Sequence, residues 1–354
     1  MKRTAILTTI VVGGLTAATV TAQRTPLPGP EPIEKIGTNL YKIFGGGGNT
    51  TVFVRSDGVV LVDTKLANYG QAILDQVKTV TDKPVTMIIN THVHPDHNGS
   101  NDFFKAARPT VEIVTHENAR ALVAANPRSD PAMTPTRTFT DKLTLGAGKD
   151  RIDLFYFGAG HTKADAFVVF PAERAMAIGD LMAWNMAPLI DPGSGGSVVA
   201  LPDTLEKATK GIKGVDKVIE GHGHVNTWAG LRTYAEYNRA LLNAAKAALA
   251  RNDTPESAVA ALAKNPKFAV LMQDQMLKGM EYGGTAKGRA LINVKVAFQE
   301  LSGEPVTTNF AGPLPATAKH KGSADWDPNA PAAPRPGAPA APAPAAGTTP
   351  PTPR

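Results

Sequence analysis

The stretch His92-Val93-His94-Pro95-Asp96-His97 places four metal-binding side chains within six residues. The chain has 8 histidines among 354 residues, and three of them lie in this hexapeptide. Neutral imidazole is the commonest metal ligand among protein side chains, and carboxylate oxygen also binds zinc well. Without a metal, the cluster would be a poor way to build a core because buried polar groups need partners. The hexapeptide therefore predicts a metal site.

The segments before the hexapeptide predict an α/β fold. Residues 51–54 and 59–62 are apolar and flank Ser56-Asp57-Gly58, a pattern typical of a β-hairpin. Residues 67–80 have the apolar spacing of a helix, and residues 85–89 form a short apolar strand. The hexapeptide follows directly, at the carboxyl end of that strand, which is where α/β folds place their sites.

Three later residues repeat this arrangement, because His161, Asp180 and His222 each follow an apolar strand and a glycine. The strands predicted before them cover residues 151–157, 175–178 and 215–219. Glycine allows a sharp turn and the close approach of a metal. His224 is an alternative to His222, but His222 is preferred because it directly follows its strand and glycine.

Seven ligand-type residues suit two divalent ions that share one carboxylate. The predicted partition gives His92, His94 and His161 to the first ion, gives Asp96, His97 and His222 to the second, and makes Asp180 the bridge. Two such ions lower the pKa of a shared water, so the expected chemistry is hydrolysis at neutral pH. His116 and His320 lack the strand-and-glycine context, and both are predicted not to be ligands.

Composition narrows the classes of function. The chain contains no cysteine, so the metal ligands must be His, Asp or Glu. The net charge of +6 is spread along the chain without a dense basic run, which predicts a solvated surface and no nucleic-acid partner. The oligomeric state is left open by the sequence.

The amino-terminal segment predicts export from a bacterial cell. Lys2 and Arg3 precede an apolar run, and Val20-Thr21-Ala22 offers a small-residue cleavage site, so residues 1–22 are predicted to be a signal peptide. The alternative is a membrane anchor, for which the run is short and is broken by Gly13-Gly14. We expect a periplasmic or secreted protein with no membrane span after cleavage.

The remaining chain divides into a body and a tail. Residues 33–305 are predicted to form the catalytic domain, which ends in helices. These helices are predicted at residues 231–249, 255–262 and 290–301. Residues 313–354 are rich in proline and alanine and predict a disordered tail, because they hold few large apolar residues.

Together these motifs resemble the signature of the metallo-β-lactamase superfamily. The resemblance rests on the hexapeptide, Gly160-His161-Thr162, Gly179-Asp180, Gly221-His222-Gly223, Gly48-Asn49-Thr50-Thr51-Val52 and Leu61-Val62-Asp63-Thr64. It covers residues 33–230 and implies a four-layer αββα sandwich with two zinc ions at one edge of its two sheets. It also implies that Asp63 orients the metal-binding loop from behind the ligands. Spacing alone leaves a strand-end turn as the alternative for Asp63.

Asp180 narrows the subgroup that the chain resembles. The best-known β-lactamases of the superfamily carry a cysteine or a non-ligand serine at that position, whereas glyoxalase II, ribonuclease Z and the lactonases carry an aspartate. The resemblance therefore implies a hydrolase of a small-molecule ester, lactone or amide, and does not favour β-lactams. In that reaction Asp96 would hold the second ion, orient the attacking hydroxide and shuttle its proton.

Two other functions stay open at this point. The motifs also resemble those of the persulfide dioxygenases, which bind one Fe²⁺ through two histidines and an aspartate. A non-catalytic, metal-binding envelope protein is the third candidate. The apolar residues Trp184, Met186, Leu189 and Ile190 either contact the substrate or cover the edge of the sheet.

Overall fold

The computed structural model describes residues 29–125, 134–273, 285–309 and 312–313. The predicted signal peptide lies outside these residues, and so do His320 and the predicted tail except for Pro313. The predicted limits of the catalytic domain, residues 33 and 305, stay predictions. None of the helices in the described segments is both long enough and apolar enough to cross a bilayer.

The first sheet has seven strands that lie side by side in chain order. They are β1 (Glu34–Lys35), β2 (Leu40–Ile43), β3 (Thr50–Val54), β4 (Val59–Val62), β5 (Val85–Ile89), β6 (Glu112–His116) and β7 (Arg137–Phe139). The first four pair antiparallel, including the predicted β3–β4 hairpin, and pairing is parallel from β4 to β7. Parallel pairing brings the carboxyl ends of β4 and β5 to the same edge of the sheet.

The second sheet has six strands in the order β13-β12-β11-β10-β9-β8. They are β8 (Lys142–Leu145), β9 (Ile152–Phe155), β10 (Phe167–Phe170), β11 (Ala175–Ala177), β12 (Lys217–Ile219) and β13 (Val225–Thr227). The β11–β12 pair is parallel and the other pairs are antiparallel. A separate hairpin joins β14 (Thr308–Asn309) to β15 (Gly312–Pro313).

Helices cover the outer faces of both sheets. The described α-helices are α1 (Gly70–Lys78), α2 (Pro95–Asn98), α3 (Asn101–Ala107), α4 (Glu117–Ala125), α5 (Leu201–Gly211), α6 (Trp228–Ala250), α7 (Pro255–Ala263) and α8 (Ala286–Ser302). The apolar faces of α1 and α3 pack on the first sheet, and those of α5 to α8 form one buried cluster with the second sheet.

Alternating apolar side chains in the strands join these layers. In β10, Phe167 and Val169 face the helices, whereas Val168 and Phe170 face the other sheet. Such alternation follows from the two-residue period of a strand. The layers therefore run helix, sheet, sheet, helix, and the predicted αββα sandwich with additional carboxyl-terminal helices is confirmed.

The contact between Phe53 and Phe170 ties the two sheets together. Both side chains are buried, and their ring centroids lie 5.0 Å apart. We expect Phe170→Ala to lower the free energy of unfolding by about 3–5 kcal/mol, because it leaves a cavity between the sheets. Chemical denaturation measures the loss. Lys78→Ala changes an exposed residue of α1 and is the control; equal stability of the two variants would contradict this view of the core.

Candidate metal centre

The hexapeptide lies at the carboxyl end of β5, in the turn that leads into α2. The strand ends at Ile89, and α2 begins at Pro95, whose fixed φ angle suits the first position of a helix. His92 and His97 are buried, while Asp96 is partly exposed. The close spacing of the ligand-type residues thus comes from a single tight turn between strand and helix.

Two glycines let the later loops approach this turn. Gly179 has a φ of +53°, and a Cβ atom there would lie 2.4 Å from Oγ1 of Thr91. A Cβ atom on Gly221 would lie 1.9 Å from Oδ1 of Asp180. Both distances are too short for any side chain, so the glycines before Asp180 and His222 are required by close packing at the site.

The structure brings all seven predicted ligands into one cluster, in which three groups of three have ligand atoms within 4.8 Å of one another. These groups are His92 with His94 and His161, Asp96 with His97 and His222, and His92 with His97 and Asp180. The first two groups match the predicted partition between two ions.

Asp180 lies between those two groups. Its Oδ1 atom is 3.3 Å from Nε2 of His97 and 3.5 Å from Nε2 of His222. Its Oδ2 atom faces the other way, 3.8 Å from Nε2 of His161. One carboxylate therefore presents one oxygen to each group, which is the arrangement that a bridging ligand requires.

Two buried polar atoms at the centre support a metal site. Nε2 of His92 and Oδ1 of Asp180 are both buried, and neither has a hydrogen-bond partner among the described residues. Buried polar atoms normally find partners, since leaving one unsatisfied is costly. Both atoms are of types that bind zinc, so the residues fit a divalent metal ion.

Four of the imidazoles contact a residue outside the cluster of ligand-type residues through one ring nitrogen. The contacts join Nδ1 of His92 to Oγ1 of Thr91 (3.0 Å), Nε2 of His94 to Oδ2 of Asp191 (2.8 Å), Nδ1 of His97 to Oδ2 of Asp63 (2.8 Å), and Nδ1 of His161 to the carbonyl oxygen of Leu189. A ring nitrogen that donates outward leaves the other nitrogen with its lone pair directed at the centre. These contacts therefore favour the tautomers that bind metal.

Burial and charge divide the histidines into two classes. Burial lowers the pKa of His161 to about 4 and the pKa of His92 well below its ordinary value, so both rings are neutral. Burial also disfavours the charged form of His222, but the carboxylates of Asp180 and Asp96 outweigh it and raise the pKa of His222 to about 9. Metal binding at His222 must therefore displace a proton.

Asp63 lies behind the ligands, at the carboxyl end of β4. Its carboxylate accepts hydrogen bonds from the backbone N–H of Thr91 (2.8 Å) and from the Thr91 hydroxyl (2.7 Å), in addition to His97. Its φ of +63° is unusual for a residue other than glycine. Asp63 thus joins the end of β4 to the turn after β5 and contacts the predicted ligand His97.

Residues 184–199, which we call the cover loop, form a second support. The Trp184 ring stacks on the His222 ring with centroids 4.3 Å apart. Leu189 and Asp191 contact His161 and His94. Trp184, Met186 and Ile190 of this loop are buried, and the choice between substrate contact and cover of the sheet edge stays a prediction.

The sequence did not indicate the role of Asp191. It precedes Pro192-Gly193, and its Oδ1 atom accepts a hydrogen bond from the N–H of Gly193, so its pattern is that of a turn residue. His94 is 97 residues away in sequence. The only local signal, an aspartate beside a turn, is common in loops of every kind.

The remaining histidines lie elsewhere. His224 is exposed and belongs to none of the three groups, which agrees with the preference for His222. His116 stacks on Tyr156 with ring centroids 3.8 Å apart, and it also belongs to none of the groups.

Comparison with known proteins places this geometry in a family. A family model described as the metallo-beta-lactamase superfamily matches residues 43–183, which include the hexapeptide, His161 and Asp180. The chain belongs to this superfamily. Its relatives include the type 2 metallo-beta-lactamases of Elizabethkingia meningoseptica, 29% identical over 47% of this chain and 67% of the relative, and of Bacteroides fragilis, 28% identical over 52% and 74%.

Other proteins that are similar to this chain carry different names. The alpha subunit of a 2,4-dinitroanisole O-demethylase from Nocardioides is 29% identical over 46% of this chain and 52% of the subunit. A sec-alkylsulfatase from Pseudomonas shares the fold with a TM-score of 0.60 and 15% identity, over 76% of this chain and 50% of the sulfatase. Similarity to this chain is therefore not confined to proteins named as β-lactamases.

Asp165 stabilises the loop that carries His161. It is buried, and it accepts hydrogen bonds from the backbone N–H of Thr162 (2.9 Å) and from the Thr162 hydroxyl (2.6 Å). Burial raises the pKa of Asp165 from 3.8 to about 7, although both hydrogen bonds lower it. The folded state therefore binds this proton more tightly than the unfolded state does.

The sign of this pKa shift predicts how stability depends on pH. Between pH 3.8 and about 7 only the unfolded state loses the Asp165 proton, so the free energy of unfolding should fall by about 1.4 kcal/mol per pH unit from this group. Asp165→Asn should remove that slope in metal-free protein, as measured by denaturation at several pH values. Asp82→Asn alters an exposed aspartate and is the control. A slope unchanged by Asp165→Asn would refute the assignment.

Proposed function

We propose that this protein is a binuclear, zinc-dependent hydrolase of a small-molecule ester, lactone or amide. The observation that carries the proposal is the position of Asp180 between two groups of three ligand-type residues, with one oxygen toward each. A site for one ion would use three of these side chains and leave four others packed against it. The cluster therefore supports two ions over the single iron of a dioxygenase.

In the proposed site, a different set of residues holds each of the two ions. His92, His94 and His161 hold the first ion, Asp96, His97 and His222 hold the second, and Asp180 is shared. When bound, a pair of zinc ions supplies both a nucleophile, by lowering the pKa of water, and an electrophile for the oxygen that becomes negative.

Asp96 is the carboxylate placed to meet the substrate. Its side chain is 30% exposed, whereas that of Asp180 is 5% exposed. Its Oδ2 atom lies 3.1 Å from Nε2 of His222, so the proposed proton acceptor is its other oxygen, Oδ1. Carboxylates that orient a nucleophile and take its proton contribute general base catalysis.

The bridging role predicts the metal content of one variant. Asp180→Ala should lose one of two zinc equivalents and lower kcat/KM by more than the roughly 10- to 100-fold typical of a lost outer partner, because it removes a ligand of both ions. Elemental analysis and steady-state kinetics measure these effects. Asp203→Ala removes an exposed carboxylate on α5 and should retain both ions. Two tightly bound ions in Asp180→Ala would disprove the bridge.

A substrate screen tests the proposed reaction. Zinc-loaded protein should hydrolyse at least one member of a panel of esters, lactones, β-lactams and phosphodiesters, and Asp180→Ala should not. Elemental analysis of the purified wild type separates the alternatives, since one equivalent of iron would support the dioxygenase. Full zinc loading without turnover of any of the four classes would favour a metal-binding protein without catalysis.

A further inference from the structure

The carboxyl-terminal helix α8 holds the cover loop with polar side chains from one face. Arg289, Asn293 and Glu300 are four and seven residues apart, and a helix with 3.6 residues per turn places them close together on its surface. Asn293 and Arg289 are buried, which is unusual for such residues and requires specific partners.

The partners of these residues are the backbone and one ring of the cover loop. Nδ2 of Asn293 donates to the carbonyl oxygen of Pro188 (2.9 Å). The Arg289 guanidinium lies over the Trp184 ring, 4.5 Å from its centre. Glu300 accepts hydrogen bonds from the backbone N–H groups of Val198 (2.9 Å) and Val199 (3.2 Å). The helix therefore binds the loop near both of its ends.

The cover-loop residues that α8 contacts are the same as, or adjacent to, the residues that contact the histidines. Pro188 directly precedes Leu189, whose carbonyl oxygen contacts Nδ1 of His161. Trp184, below Arg289, stacks on His222. A peptide group fixed at Pro188 restricts the direction of the next carbonyl, because successive peptide planes are linked only through φ and ψ.

We propose that Asn293 and Arg289 are positioning residues of the metal centre, which act through the cover loop to hold His161, His94 and His222 in their ligand orientations. This inference rests on the proposed metal-binding function. Neither residue touches the ligands, so their effect is on the geometry of the site. Outer contacts of this kind typically change metal affinity by about 10- to 100-fold.

The control for this proposal lies on the same helix. Val294 is as buried as Arg289 and lies in the same apolar cluster as residues of α6 and α7, but its side chain has no polar group with which to hold the backbone of the cover loop. Val294→Ala should lower the melting temperature without changing zinc affinity. Lys295→Ala, on the exposed side of α8, should change neither.

The experiment is zinc competition with a chromophoric chelator, using the full chain. Asn293→Ala and the bulkier Asn293→Leu should each weaken one of the two zinc equivalents by about 10- to 100-fold, while Val294→Ala keeps wild-type affinity. Arg289→Met, which keeps a long side chain over Trp184, should also weaken zinc binding. Hydrogen exchange by NMR should show faster exchange of the ring N–H protons of His94 and His161, with that of His97 unchanged.

The outcomes separate this inference from the proposed function. Wild-type protein that binds two zinc ions, with equal binding by the Asn293 and Arg289 variants, would overturn the positioning role alone. A loss of affinity in Val294→Ala equal to that in Asn293→Ala would also overturn it, since the effect would then follow general stability. Wild-type protein that binds no zinc would overturn both proposals.

Discussion

The mutual approach of ligand-type atoms at the edge of the sheets is the constraint on which the rest of this structure depends. Nε2 of His161 lies 2.8 Å from Nδ1 of His94, and the Nε2 atoms of His97 and His222 lie 3.3 Å apart. Two such nitrogens can share one proton but repel each other if both are charged. A cation bound by both nitrogens would satisfy them without a shared proton, so the arrangement that the surrounding loops hold suits a metal ion.

The two halves of the centre are stabilised by different parts of the fold. Asp63, at the end of a strand in the first sheet, holds His97. The cover loop, which follows strand β11 of the second sheet, holds His94 and His161. Trp184 of the same loop stacks on His222 in the other half, so the outer contacts of the two halves are only partly separate. Asp180, which faces both halves, couples them.

Sequence patterns predicted the elements that are periodic and the residues that follow them. The strand over residues 85–89 and the glycines before Asp180 and His222 carry local signals, because burial requires apolar side chains and close approach requires glycine. β7 and β13 have three residues each, too few to show alternation, and only pairing with a neighbour defines them. Asn293 had no local signal, since its partner, Pro188, is 105 residues away.

The supports of the site extend beyond the segment that the family model matches. The family match ends at residue 183, just before Trp184, so it excludes His222, the whole cover loop and α8. The matched segment carries six of the seven ligand-type residues, but the contacts that orient His94 and His161 come from outside it. Metal affinity follows orientation as well as ligand identity. In the proposed positioning role, α8 therefore acts on the candidate metal centre from outside the segment that the family model matches.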